Sequence, residues 1–299
     1  MAENVLEVRS VVKRYDGVTA VDDLSFEVRR GEIFGLLGPN GAGKTTTIRM
    51  VMDILRPDDG MVRVLGQTPG NSRERVGYLP EERGLYRDLK VLDVLVYLAE
   101  LKGISRSEAR RRGMAWLDRV ELADWAERRI KDLSRGMQQK AQLAASLVHE
   151  PELAILDEPF QGLDPVNVEL VKGIIRRLQR EGATVVLSSH QMNLVEALCD
   201  RILLVNHGRS VLYGPLAEIK RRHSAQTVRL RTPADLGTLP GVEGIEQREG
   251  TFVLRLGDGS PQDLLRALVQ RNIPLDSFEV ATAPLDEVFI AAVKGAEHA

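Results

Sequence analysis

The chain has 299 residues, of which 43% are hydrophobic and 28% charged, and its formal net charge is −2. That length suits one large core plus a small one, and the near-neutral balance excludes a global basic field that would draw nucleic acid or anionic lipid. The one cysteine, Cys199, excludes an internal disulfide framework and a cysteine-based zinc site.

Strand-like segments open the chain: Leu6-Glu7-Val8, Leu24 to Val28, then the apolar run Ile33 to Leu37. Gly38-Pro39-Asn40-Gly41-Ala42-Gly43-Lys44-Thr45-Thr46 follows at once, and Thr46 to Leu55 has helical spacing. This segment reads as a phosphate-binding loop, its N–H groups curling inward at an anion and the helix N-terminus adding positive charge; a plain glycine-rich turn is the bland alternative. Lys44 would bring a point charge to the outer phosphates, and the Thr45 hydroxyl would ligate Mg²⁺. A nucleoside triphosphate is therefore the expected ligand.

Pro57 to Gly60 marks a turn and Met61 to Leu65 a strand. Leu89, Leu92, Leu95, Val96 and Ala99 share one helical face, and Ser105-Arg106-Ser107-Glu108 reads as a capping box opening a helix through Trp116 and Leu117. Leu153 to Leu156 and Ala183 to Leu187 are continuous apolar runs, as in parallel strands covered on both faces, with a helix expected over 166–180. Asn206-His207-Gly208 signals a hairpin between Arg201 to Val205 and Ser210 to Tyr213. Helices inserted into an α/β core are thus expected. Cys199 should sit on a helix as a small hydrophobe. From about residue 223 short strands (Thr227 to Arg231, Thr251 to Leu256, Phe278 to Val280) alternate with helices (Gln262 to Gln270, Leu285 to Val293), read as a small α+β domain behind a basic linker, Lys220 to His223. The amino terminus shows no secretory pattern. The best apolar run, Val91 to Leu101, holds Asp93 and Glu100 and falls short of the ~20 residues that span a bilayer. A soluble, cytoplasmic chain is expected.

Asp157 and Glu158 end the strand 153–156, and an acidic pair there is costly unless a cation sits beside it. Asp157 would hold Mg²⁺, largely through its water shell, and Glu158 would polarise an attacking water; capping of the next turn is the bland alternative. His190, after Ser188-Ser189, would emerge at the same sheet edge, where an imidazole can bond a γ-phosphate.

In its ordered motifs over residues 5–220 the chain resembles ATP-binding cassette (ABC) ATPases, the motor subunits of ABC transporters. Residues 38–46 match the Walker A motif and 153–158 the Walker B motif. Tyr15 matches the aromatic that stacks on adenine, Leu133 to Gln139 the signature motif, Gly162-Leu163-Asp164 the D-loop and His190 the switch histidine. The resemblance implies a P-loop, RecA-like sheet with an amino-terminal β-subdomain and a helical subdomain at about 82–140. The nucleotide-binding domain would cover 1–222 and an accessory α+β domain 223–299. It also implies that ATP lies between two head-to-tail subunits, so that Ser134, Arg135, Gly136 and Asp164 serve the partner's nucleotide. Physically, Ser134 can cap a helix with the apolar face Met137, Ala141, Ala144, Val148, and Gly136 keeps its first turn slim.

Two positions depart from the common pattern. Arg135 and Met137 replace the usual glycine and glutamine of the signature; Arg135 either adds charge near the trans nucleotide or faces solvent. Glu81 stands where the family usually has a glutamine that touches Mg²⁺; it could ligate the metal as an anion, and beside Glu158 it would raise the pKa of a carboxyl when no cation is present. Residues 80–86 and 133–140, with Leu198 to Arg201 and Leu285 to Phe289, are similar to bacterial sodium-extrusion (NatA-like) ABC ATPases. The function so implied is the ATP-hydrolysing motor of an exporter: a homo- or heterodimer around MgATP, bound to integral membrane permease subunits at the inner face of the membrane, with no nucleic acid partner. The segment Arg83 to Lys90 is where a permease helix would dock, with Leu85 and Tyr86 either anchoring it or packing on Leu92. A soluble ABC ATPase acting in regulation, translation or repair is the alternative. The carboxy-terminal domain would regulate, brace the dimer or only stabilise.

Overall fold

A computed structural model describes residues 3–82, 84–223, 227–234, 236–237, 239–248, 251–257, 259–281 and 284–297. The chain divides into two units, Met1–Leu216 and Ala217–Ala299. The elements run β1 (Asn4–Tyr15), β2 (Val18–Arg29), β3 (Ile33–Leu37), α1 (Lys44–Val51), β4 (Asp59–Val64) and β5 (Val76–Leu79). Three helices follow, α2 (Val91–Glu100), α3 (Arg106–Arg119) and α4 (Arg135–Leu147), then β6 (Leu153–Asp157), α5 (Pro165–Arg180), β7 (Thr184–Ser189), α6 (Met192–Leu198), β8 (Arg201–Asn206) and β9 (Arg209–Pro215). Helix α7 (Leu216–His223) precedes β10 (Thr227–Arg231), β11 (Val242–Arg248), β12 (Thr251–Leu256), α8 (Pro261–Gln270), β13 (Ser277–Ala281) and α9 (Leu285–Glu297).

In the first unit a six-stranded sheet has the order β5-β6-β7-β3-β8-β9. Every pairing in it is parallel except β8 with β9. The registers Leu79↔Leu156, Asp157↔Ser188 and Leu37↔Ser189 align the carboxyl ends of four neighbouring strands. The segments that leave this edge are the phosphate loop, Pro80-Glu81, Glu158 and His190, which is where open α/β sheets gather their ligands. Strands β3, β6 and β7 are buried at every position, as their apolar runs require, and the polar residues Asp157, Thr184, Ser188 and Ser189 are buried with them. A second sheet, β2-β1-β4, is antiparallel. Its Val8, Leu24 and Phe26 share a core with Phe34, Ile48, Ile155 and Val186, and Phe26 stacks on Phe34 at 5.6 Å.

Several expectations need correction. Strands β1 and β2 are each 12 residues long, not the short segments expected. The positive φ of Ser10 (45°) and Asp23 (48°) lies within their register shifts; such bulges break the two-residue period that reveals a strand. Ser105 is the N-cap of α3 but accepts no capping hydrogen bond. Glu108, the other half of the expected capping box, is taken by Arg111 and Arg112 at 2.6–2.8 Å. Leu89 lies before α2 and is exposed, while Leu92, Leu95, Val96 and Ala99 are buried. The stretch Lys220 to His223, expected as a linker, is helical within α7. The hairpin forms on His207 and Gly208, both at positive φ (47° and 76°), as a two-residue primed turn requires.

The second unit is a four-stranded antiparallel sheet, β11-β12-β10-β13. Val228, Leu230, Leu254 and Leu256 form a core with Leu264 and Leu268 of α8. Among the described residues no helix is long and apolar enough to cross a membrane.

Candidate functional site

A cleft of about 340 Å³ at the carboxyl edge of the six-stranded sheet is lined by Ala20, Pro39 to Thr46, Glu81, Asp157 and Glu158. The loop that forms it depends on glycine at two positions. Gly43, the N-cap of α1, has φ +105°, and a Cβ there would sit 2.5 Å from the Ala20 carbonyl oxygen. A Cβ on Gly38, at φ +148°, would run into the Val205 carbonyl. Only glycine adopts these conformations without strain and leaves room for the neighbouring backbone. Thr47 Oγ1 donates back to the Gly43 carbonyl at 2.9 Å. Lys44 is buried, and its Nζ donates to the carbonyls of Gly38 at 2.7 Å and Pro39 at 3.1 Å. The ammonium is thus held at the loop it is expected to serve.

The carboxylates come from the adjacent strand ends. Asp157 is 1% exposed. Its Oδ1 accepts from the Ser188 hydroxyl, and its Oδ2 has no hydrogen-bond partner. Burial raises the Asp157 pKa above the usual carboxylate value; Ser188 opposes that shift, while Glu81 and Glu158 add to it. Glu158 stands at φ 50°, a conformation that costs a non-glycine residue roughly 1–2 kcal/mol. Its N–H donates to the Ser188 carbonyl at 3.2 Å and lies 3.3 Å from the Ser188 hydroxyl. His190 Nδ1–H donates to Glu158 Oε1 at 2.9 Å, which fixes the ring's orientation and leaves Nε2 as its free nitrogen.

The buried Oδ2 is an acceptor with no partner among the described residues, in a cleft also lined by Glu81 and Thr45. Oxygen donors of this kind fit a hard divalent cation such as Mg²⁺. Among the described residues no three His, Cys, Asp or Glu side chains would hold a metal by themselves. Mg²⁺ takes one or two carboxylates and completes its shell with water and substrate phosphates.

The remaining predicted residues lie outside the cleft lining. Tyr15 ends β1, is 41% exposed and has Lys13 Nζ 5.6 Å from its ring centroid. It pairs with Val18, and the same β2 strand carries Ala20 to the cleft. Ser134 caps α4, its hydroxyl accepting from the Met137 N–H at 3.3 Å. Gly136 has Leu163 and the Gly162 carbonyl as the nearest neighbours of an added Cβ, at 3.7 and 3.8 Å. Asp164 caps α5 and accepts from the Asn167 N–H at 3.0 Å. Arg135 lines a separate cavity with Leu85, Arg87 and Gln142. Glu82 directs its carbonyl to Gln142 Nε2 at 3.0 Å, and Pro80 does so at 3.3 Å. Tyr86 is exposed and meets Tyr97 edge-on at 5.8 Å, and Leu92 is buried; Arg83 lies outside the described residues. Cys199 caps α6 in burial, which pushes its thiol pKa upward.

The roles of three residues escaped the sequence reading. Ser188 orients Asp157, and only its place one residue from the strand end hints at this. Gln139 and Gln142 of α4 hold the loops after β6 and β5, with Gln139 Nε2 3.4 Å from the Pro159 carbonyl. Gln139, Gln142 and Ser146, recurring at helical spacing among the alanines and leucines of α4, were the available signal.

Residues 21–161 match the ABC transporter family, and residues 214–293 match the family described as ATP-binding protein DrrA1-3-like, C-terminal domain. The chain is 40% identical to the uncharacterized ABC transporter ATP-binding protein YhaQ of Bacillus subtilis, over 97% of this chain and 98% of that one. It is 34% identical to the daunorubicin/doxorubicin resistance ATP-binding protein DrrA of Streptomyces peucetius, over 96% and 91% of the two chains. A solved ATP-binding subunit of an ABC transporter superposes with a TM-score of 0.69 at 32% identity, covering 73% of this chain and 92% of the other.

Proposed function

The chain belongs to the ABC transporter family as an ATP-binding ATPase subunit, and from that premise we propose that it is the motor of an exporter, working as a dimer that closes on MgATP. The observation that carries the dimer is a division of labour within one chain. Phosphate loop and carboxylates line the cleft, whereas Ser134, Arg135, Gly136 and Asp164 do not. A second, head-to-tail copy would bring that set to the open side of the nucleotide.

In this reading the loop N–H groups and Lys44 bind the phosphates, Tyr15 takes the base, and Thr45, Asp157 and Glu81 would hold Mg²⁺. Bound there, the cation would neutralise developing charge on the transferred phosphoryl group. Glu158 accepts the proton of the attacking water, and His190 keeps that carboxylate aimed and offers its free nitrogen to the γ-phosphate. The partner's signature helix supplies N–H groups at its capped N-terminus. Hydrolysis would then reopen the dimer and drive separate permease subunits. The chain would thus be cytoplasmic and peripheral on the inner face of the membrane.

Cation extrusion is the first cargo to test, on the NatA-like resemblance of residues 80–86 and 133–140. An amphipathic drug is the second, on the likeness to the protein named for daunorubicin/doxorubicin resistance. The direct test of the motor is Glu158→Gln. It should keep ATP binding and lose hydrolysis by ~10²–10⁴; turnover at the parent rate would overturn the assignment of the base.

A further inference from the structure

The cleft is negative before any ligand enters. Three carboxylates, Glu81, Asp157 and Glu158, line it against one ammonium, Lys44. That ammonium is engaged by the Gly38 and Pro39 carbonyls. The N-terminus of α1 returns only about half a unit of positive charge. Two of the carboxylates are anchored, Asp157 by Ser188 and Glu158 by His190. Glu81 makes no hydrogen bond or ion pair among the described residues, so its charge is uncompensated. Asp157 adds a buried oxygen with no partner. A fully ionised triphosphate arriving alone meets this field as a repulsion. The same triphosphate complexed to a divalent cation carries less charge and sets the cation against the three carboxylates.

We infer that the chain discriminates between cation-complexed and free nucleotide, rejecting free ATP, and that Glu81 sets the size of this discrimination. The inference rests on the nucleotide reading above and deepens it. A neutral amide at this position could offer an oxygen ligand without repelling the phosphates. The carboxylate both binds the cation and penalises its absence. Cation and nucleotide are therefore coupled through one side chain, and the coupling is reciprocal.

The test measures binding, with the full-length chain and a fluorescent ATP analogue titrated in excess Mg²⁺ and again in EDTA. The parent should lose affinity in EDTA by a factor at least tenfold larger than Glu81→Gln or Glu81→Ala does. Reciprocally, Mn²⁺ followed by its magnetic resonance signal in saturating ATP should bind at least tenfold more weakly to Glu81→Gln. Glu82→Gln, which removes the same charge one residue away from the cleft, should behave as the parent. Equal loss in EDTA for parent and Glu81→Gln would overturn the inference, as would a Glu82→Gln that matches Glu81→Gln. A folded parent that binds no nucleotide even with Mg²⁺ would sink the nucleotide reading itself. Circular dichroism confirms that each variant is folded.

Discussion

Replacing Asp157 with asparagine should stabilise the ligand-free protein while disabling its site. The parent buries this carboxylate to 1% exposure with one oxygen on Ser188 and the other unpartnered. An uncompensated buried charge costs several kcal/mol even after relaxation. The asparagine keeps an oxygen for Ser188 and leaves a neutral NH₂ unpaired, which costs ~1–3 kcal/mol. The difference favours Asp157→Asn by about 1–2 kcal/mol, or a rise in Tm of roughly 2–8 °C for a unit of this size. Thermal unfolding in EDTA, without nucleotide, reads this directly. With MgATP the order should reverse, because a parent at a hundred times its Kd gains ~2.7 kcal/mol that the variant forfeits. A ligand-free Asp157→Asn melting at or below the parent would refute the reasoning, since the orphaned carboxylate would then carry no penalty.

Gly43→Ala should cost about 2–3 kcal/mol in urea unfolding and abolish nucleotide binding, because it combines positive-φ strain with a clash on the Ala20 carbonyl. Gly41→Ala, at φ +80° with nothing within 4 Å, should cost only ~1–2 kcal/mol; equal losses would contradict the clash. His149 donates to the Val76 carbonyl at 3.1 Å, and burial, helped by Lys102, pushes its pKa down to about 4. The folded state therefore binds fewer protons there than the unfolded one. Its contribution is present above about pH 6.5 and is lost as the pH falls towards 4, by up to about 3 kcal/mol. His149→Gln, which keeps a donor for Val76, should flatten that part of the stability–pH curve; an unchanged slope would exclude His149 as its source.

The phosphate loop, the Asp157-Glu158 pair and His190 were legible because each follows a run of apolar residues, and β3, β6 and β7 are buried along their whole length. Contacts between distant residues were not. Nothing local joins His190 to Glu158 or Ser188 to Asp157; parallel pairing of β6 with β7 brings them together. Local rules also failed where a neighbour competed. Glu108 has the spacing of a capping box, yet two arginines one turn on offer charged donors that the Ser105 N–H cannot match. Strand β11 escaped because Glu243, Gly244 and Glu246 obscure its alternation, although it pairs along its length with β12. Glu81 was legible as a departure, but that it lines the cleft and Glu82 does not depends on how β5 ends beside β6.

The central claim, that one chain holds only half of each reaction centre, is tested most directly by light scattering on Glu158→Gln with saturating ATP and Mg²⁺. The account predicts twice the chain mass with ATP and a single chain without it. A single chain under both conditions, from a parent that hydrolyses ATP at a rate per chain independent of protein concentration, would contradict it.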